Sequence, residues 1–104
     1  MKTSIENKAV VCKLTTPELQ ARKKAVIQQL KDLVLERIEL TDGVKYKFDG
    51  SDAVVDMVAS FIKTERLCCN FFDFNMYVSS SGDLWLELTG PAGTKDFINK
   101  EIAF

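Results

Sequence analysis

Histidine is absent from the 104 residues. That removes Cys-His and Ser-His-Asp catalysis and any imidazole-ligated metal. Acid–base chemistry near neutral pH then falls to a shifted carboxylate, a thiol or a lysine. A metal would have only sulfur and oxygen ligands, which favours soft ions where sulfur dominates. Cysteine is scarce and odd in number, three in all, so a disulfide framework is not expected. An excess of either charge is also missing, with 14 basic and 15 acidic residues and a net charge of -1. That balance gives no reason to expect nucleic acid or an anionic membrane as partner. No apolar run is long enough to span a bilayer. The stretch Ala9–Cys12, after the polar Met1–Lys8, is too short for a signal peptide. The expectation is a cytoplasmic protein with reduced thiols.

What is there is an ordinary globular composition, 46% hydrophobic and 28% charged, enough for one core in a single domain spanning 1–104. Val10, Cys12 and Leu14 alternate with Val11 and Lys13, which predicts a strand at 8–14. Thr15-Thr16-Pro17-Glu18 opens a helix. Either Thr16 caps it with Pro17 in the first turn, or Thr15 and Glu18 form a capping box. Its stripe is Leu19, Val26, Ile27, Leu30 and Leu33, with Arg22 on it. Val34–Leu40 and Val44–Phe48 flank Asp42-Gly43 and read as a hairpin. Ile38, Leu40, Val44, Tyr46 and Phe48 are expected on one face, and Arg37, Glu39, Lys45 and Lys47 on the other.

Ser51 or Asp52 caps a second helix over 52–69, with the stripe Val54, Val58, Phe61, Glu65 and Cys68. Phe72, Phe74, Met76 and Val78 alternate as a strand. So do Leu84, Leu86 and Leu88 after the turn Ser80-Ser81-Gly82-Asp83. Gly90-Pro91-Ala92-Gly93 breaks that strand before a last helix over 94–103. It lacks the Gly-Lys-Ser/Thr ending of a phosphate loop and reads as a strand-to-helix turn. The order β-α-β-β-α-β-β-α predicts an α+β domain, an antiparallel sheet with helices on one face, ferredoxin-like in its first six elements. Val44–Phe48, Gly50 and the helix after it correspond to Leu84–Leu88, Gly90 and the last helix at an offset of 40 residues. Two such copies suggest duplication.

Glu65-Arg66-Leu67-Cys68-Cys69-Asn70-Phe71 carries the chemistry. If successive elements alternate in direction, Cys12, Arg22, Glu65, Cys68, Cys69 and the Gly90–Gly93 loop all fall at one end. Three thiolates from Cys12, Cys68 and Cys69 could then cage a soft metal or metalloid, with Glu65 or Asp73 as a fourth ligand. Alternatively Cys68 or Cys69 attacks as a nucleophile and another thiol resolves. Arg22 and Arg66 favour thiolate, while Glu65 and the helix C-terminus oppose it. A third reading buries inert cysteines and dimerises through the face of Tyr77 and Trp85.

Two segments carry a resemblance. One is Cys12-Lys13-Leu14-Thr15-Thr16-Pro17-Glu18-Leu19 with Arg22. The other is Glu65-Arg66-x-Cys68-Cys69-x-Phe71 with Leu86-x-Leu88-Thr89-Gly90-Pro91-x-Gly93. Together they resemble a family of small stand-alone bacterial proteins with no established activity. Thr16 is an extra residue against the family's Leu-Thr-Pro. The resemblance implies that Cys12, Arg22, Glu65, Arg66, Cys68 and Cys69 belong to one pattern.

Overall fold

The computed structural model describes residues 16–102 and 104, without the side chain of Cys68. The elements are α1 (Pro17–Lys31), β1 (Glu36–Leu40), β2 (Gly43–Asp49), α2 (Asp52–Cys68), β3 (Asp73–Val78), β4 (Asp83–Thr89) and α3 (Thr94–Phe97). A π-helical turn, Ile98–Ile102, follows α3 directly. The expected strand at 8–14 lies outside the described residues, so the ferredoxin-like order that begins with it does too.

The first two helices start where the sequence supplies a cap. Thr16 Oγ1 accepts from the Leu19 amide at 3.3 Å, with Pro17 in the first turn where no amide hydrogen is needed. Ser51 does the same for the Val54 amide at 3.4 Å. The last helix has no such side-chain cap and begins after Gly93 at φ 96°. Its α-helical part is only four residues long, shorter than the run expected over 94–103. The first helix ends at Lys31, two residues before Leu33.

The four described strands form one antiparallel sheet in the order β1-β2-β4-β3. The centre pairs Val44 with Leu88, Tyr46 with Leu86 and Phe48 with Leu84. All six are fully buried. They cluster with Leu30 of α1, Val54, Val58 and Phe61 of α2, and Ile98 and Ile102 of the last turn. The helices therefore pack against one face. This is the α+β arrangement, and β2 beside β4 fits the expected internal repeat: the pairs Val44–Leu88 and Phe48–Leu84 exchange at the offset of 40 residues.

Two expectations for the first hairpin are corrected. The turn is Thr41-Asp42, and Gly43 belongs to β2, paired with Thr89. A Cβ at Gly43 would stand 1.8 Å from the Leu88 carbonyl oxygen. The glycine answers to a close backbone approach. The faces also differ. Ile38 pairs with Lys45, and Arg37 pairs with Tyr46. A two-residue turn pairs an even-numbered position with an odd one, and directly paired residues share a face. Ile38 and Leu40 therefore share the outer face with Lys45 and Lys47, while Arg37 and Glu39 lie on the side of Tyr46 and Val44. Arg37 donates to Asn99 Oδ1 at 2.6 Å, and Lys95 reaches Glu39 at 3.0 Å. Tyr77 faces Trp85 on the outer side.

Candidate functional site

The C-terminal end of α2 carries the site. Cys69 is its C-cap, and its amide donates to the Glu65 carbonyl oxygen at 2.6 Å. One helical turn separates the two residues, so their side chains stack on the same face. Cys69 Sγ donates to Glu65 Oε1 at 3.5 Å. Glu65 does not reach water at the helix end: both Glu65 and Cys69 are completely buried.

A cation from another helix closes the cluster. Lys23 Nζ of α1 lies 3.5 Å from Glu65 Oε1 and 3.9 Å from Cys69 Sγ. Lys23 is 7% exposed. Its ammonium also lies 5.6 Å from the centroid of the Phe97 ring, an attractive cation–π placement. Phe97 in turn packs edge-on against Phe71 and Phe72, with centroids 5.1 and 5.8 Å away. The ammonium thus rests against a cluster of three aromatic rings. The Gly90 loop is there too, where a Cβ on Gly90 would meet the Phe71 carbonyl oxygen at 3.0 Å.

Burial holds the Glu65 carboxyl above its ordinary 4.5, because a charge inside the protein loses its hydration. Lys23 and the hydrogen bond from Cys69 pull it back down, and Glu101 pushes it up. One ammonium therefore faces two groups that compete for negative charge.

Sequence reasoning selected Arg22 as the cation on α1. Arg22 is exposed, and so is Arg66. At about 100° per residue, Lys23 lies about 20° from Leu30 around the helix, and Arg22 about 80°. The buried position of Leu30 was the available signal. Asp73, considered as a fourth ligand, is exposed at the start of β3. Cys12 and the side chain of Cys68 lie outside the description. Among the described residues no group of three or more Cys, Asp, Glu or His is placed to hold a metal. No described helix is long and apolar enough to cross a membrane.

A cleft of about 270 Å³ opens beside this end, lined by Gly93, Asp96, Phe97, Lys100 and Glu101. Phe97 is shared between the cleft and the Lys23 contact.

The fold and site together define a small α+β protein with a buried thiol–carboxylate–ammonium cluster. Compared with known proteins, the chain matches no family model, no curated protein and no solved structure.

Proposed function

We propose that this is a thiol protein whose reactive group is the Cys69 sulfur, held as thiolate by Lys23 and served by Glu65 as proton acceptor. The observation that carries this is the Lys23 ammonium 3.9 Å from the sulfur, with the Glu65 carboxylate 3.5 Å away. An adjacent cation is the ordinary means of favouring thiolate over thiol. A carboxylate in hydrogen-bond contact supplies the base that a chain without histidine otherwise lacks. The resemblance of Glu65-Arg66-x-Cys68-Cys69-x-Phe71 to a bacterial family groups Glu65 with Cys69, though not with Lys23. The ferredoxin-like order of the first six elements is likewise a proposal, resting on a strand at 8–14.

Ultraviolet thiolate absorbance in a Cys12→Ser, Cys68→Ser variant tests the reading without depending on access to the sulfur. Thiolate forming below about pH 8.5, the ordinary value for cysteine, is the expected result. Thiolate appearing only above that value refutes it.

A soft metal or metalloid held by Cys12, Cys68 and Cys69 is the weaker reading, because an ammonium already stands where such a cation would approach the sulfur. Stoichiometric Cd(II) or As(III) uptake that disappears on serine replacement of all three cysteines would move the conclusion there. Self-association through Tyr77 and Trp85 is a separate proposal. Tyr77 is 39% exposed. Lys45 already lies over both rings, 5.5 Å from Tyr77 and 4.6 Å from Trp85. Light scattering of Trp85→Glu decides it: a dimer unaffected by the substitution excludes this face.

A further inference from the structure

We propose that Lys23, Glu65 and Cys69 form a peroxide-reducing triad, with small uncharged hydroperoxides as its substrate class. The inference rests on the thiol reading above and adds a substrate and a reaction to it. Three observations carry it. Cys69 and Glu65 have no exposed surface and Lys23 has 7%, so a peptide, a sugar or a large disulfide cannot reach the sulfur directly. A small cleft touches Phe97, whose ring lies under the Lys23 ammonium, and its rim mixes Asp96 and Glu101 with Lys100, which does not select for an anion. Nucleophile, base and cation stand in mutual contact at 3.5–3.9 Å.

The chemistry follows from that contact. Glu65 takes the Cys69 proton, and Lys23 balances the negative charge whether it sits on oxygen or on sulfur. The thiolate attacks one peroxide oxygen, forming an S–O bond as the O–O bond breaks. Sulfur is oxidised to sulfenic acid, the peroxide is reduced, and Glu65 returns its proton to the departing oxygen. The balance is one thiol and one hydroperoxide giving one sulfenic acid and one alcohol, or water from hydrogen peroxide. A thiol then condenses with the sulfenic acid, releasing water and forming a disulfide. A second thiol restores Cys69 by exchange.

The test uses the full chain with Cys12→Ser and Cys68→Ser, hydrogen peroxide as probe, and dimedone trapping of sulfenic acid read by mass spectrometry. Cys69 should be oxidised faster than free cysteine at the same thiolate concentration. Glu65→Gln should slow the step by about 10²–10⁴-fold, the range for loss of a positioned acid–base group. Its thiolate absorbance at neutral pH should persist, because Lys23 is still in place. A rate no greater than that of free cysteine overturns the proposal, and that comparison stands even if the glutamine variant does not fold. A folded Glu65→Gln that reacts as fast as the parent overturns it too. Either result with thiolate still present at neutral pH leaves the thiol reading intact, which separates the two failures.

Discussion

The chain builds two hairpin-and-helix units, β1-β2-α2 and β3-β4-α3, whose inner strands β2 and β4 lie at an offset of 40 residues, while the outer strands β1 and β3 differ in register by one residue. Val54, Val58 and Ile62 of the first correspond to Thr94, Ile98 and Ile102 of the second, and each of these is buried or half-buried toward the shared core. The central strands of the two units pair with each other antiparallel. The helices then diverge. In the first unit α2 runs for 17 residues. In the second, four α-helical residues pass into a five-residue π-helical turn. Glu65 and Cys69 lie on the part of α2 that extends beyond the overlap. The common portions build the core, and the portion without a counterpart builds the site. The second unit still contributes, since Phe97 carries the Lys23 ammonium on its ring.

The sharpest way to separate the units is Lys23→Met. It strips the first unit's helix of its counter-charge and leaves Glu65 buried beside a neutral side chain. Breaking a buried ion pair on one side costs about 3–5 kcal/mol, and urea unfolding near pH 7 should show a loss of that size. The loss should shrink in acid, where Glu65 is protonated. The pH dependence of the parent has a definite sign. The folded Glu65 carboxyl titrates above 4.5, so the native state holds its proton more tightly than the unfolded chain does. Its contribution is full below about pH 4.5 and is lost as pH rises through the raised value. Measured against Glu65→Gln, the parent should lose relative stability as pH rises above about 4.5.

Ile98→Ala probes the common portion, on the second unit. A fully buried isoleucine truncated to alanine loses about 2–5 kcal/mol. Chemical denaturation should show that loss with the Cys69 thiolate absorbance unchanged at neutral pH. Gly43→Ala tests the seam between the units, where its Cβ would press on the Leu88 carbonyl. Overpacking of this kind costs about 1–3 kcal/mol, and a melting temperature equal to the parent's would contradict the described β2–β4 approach. Ser51→Ala is the smallest effect, about 1 kcal/mol for loss of an N-cap. The second unit has Pro91 at the equivalent place and no side-chain cap, so Pro91→Ala should not reproduce that loss.

Much of this was legible in the residues, and the misses have physical causes. The caps at Thr16 and Ser51, the alternating strands and the offset of the repeat are local signals, and local signals survive into the fold. The helix-facing Met76 and Val78 lie on their expected side, yet are 36% and 50% exposed, because alternation gives a face and not the extent of its cover. Gly43 read as a turn residue because glycine next to aspartate usually serves a positive φ. The reason for it is the neighbouring strand, which no local pattern reveals. Ile38 and Leu40 were grouped with Val44 by apolarity, against the parity that any two-residue turn imposes. Lys23 was passed over in favour of Arg22 because a step of three and a step of four along the stripe look alike until the angle to Leu30 is worked out. Glu65 was found through its unusual place on an apolar stripe, and Cys69 as half of the adjacent pair Cys68-Cys69. Their common partner belongs to a different helix, and only tertiary structure brings it to them.

The central claim is that Lys23, Glu65 and Cys69 act as one electrostatic unit. It is tested most directly by following the Glu65 side-chain carboxyl with ¹³C NMR through a pH titration, in the parent and in Lys23→Met. With the ammonium gone, the Glu65 midpoint should move further upward. A midpoint that stays where it was would show that Lys23 does not act on Glu65, and the cluster would be no more than neighbouring side chains in a core.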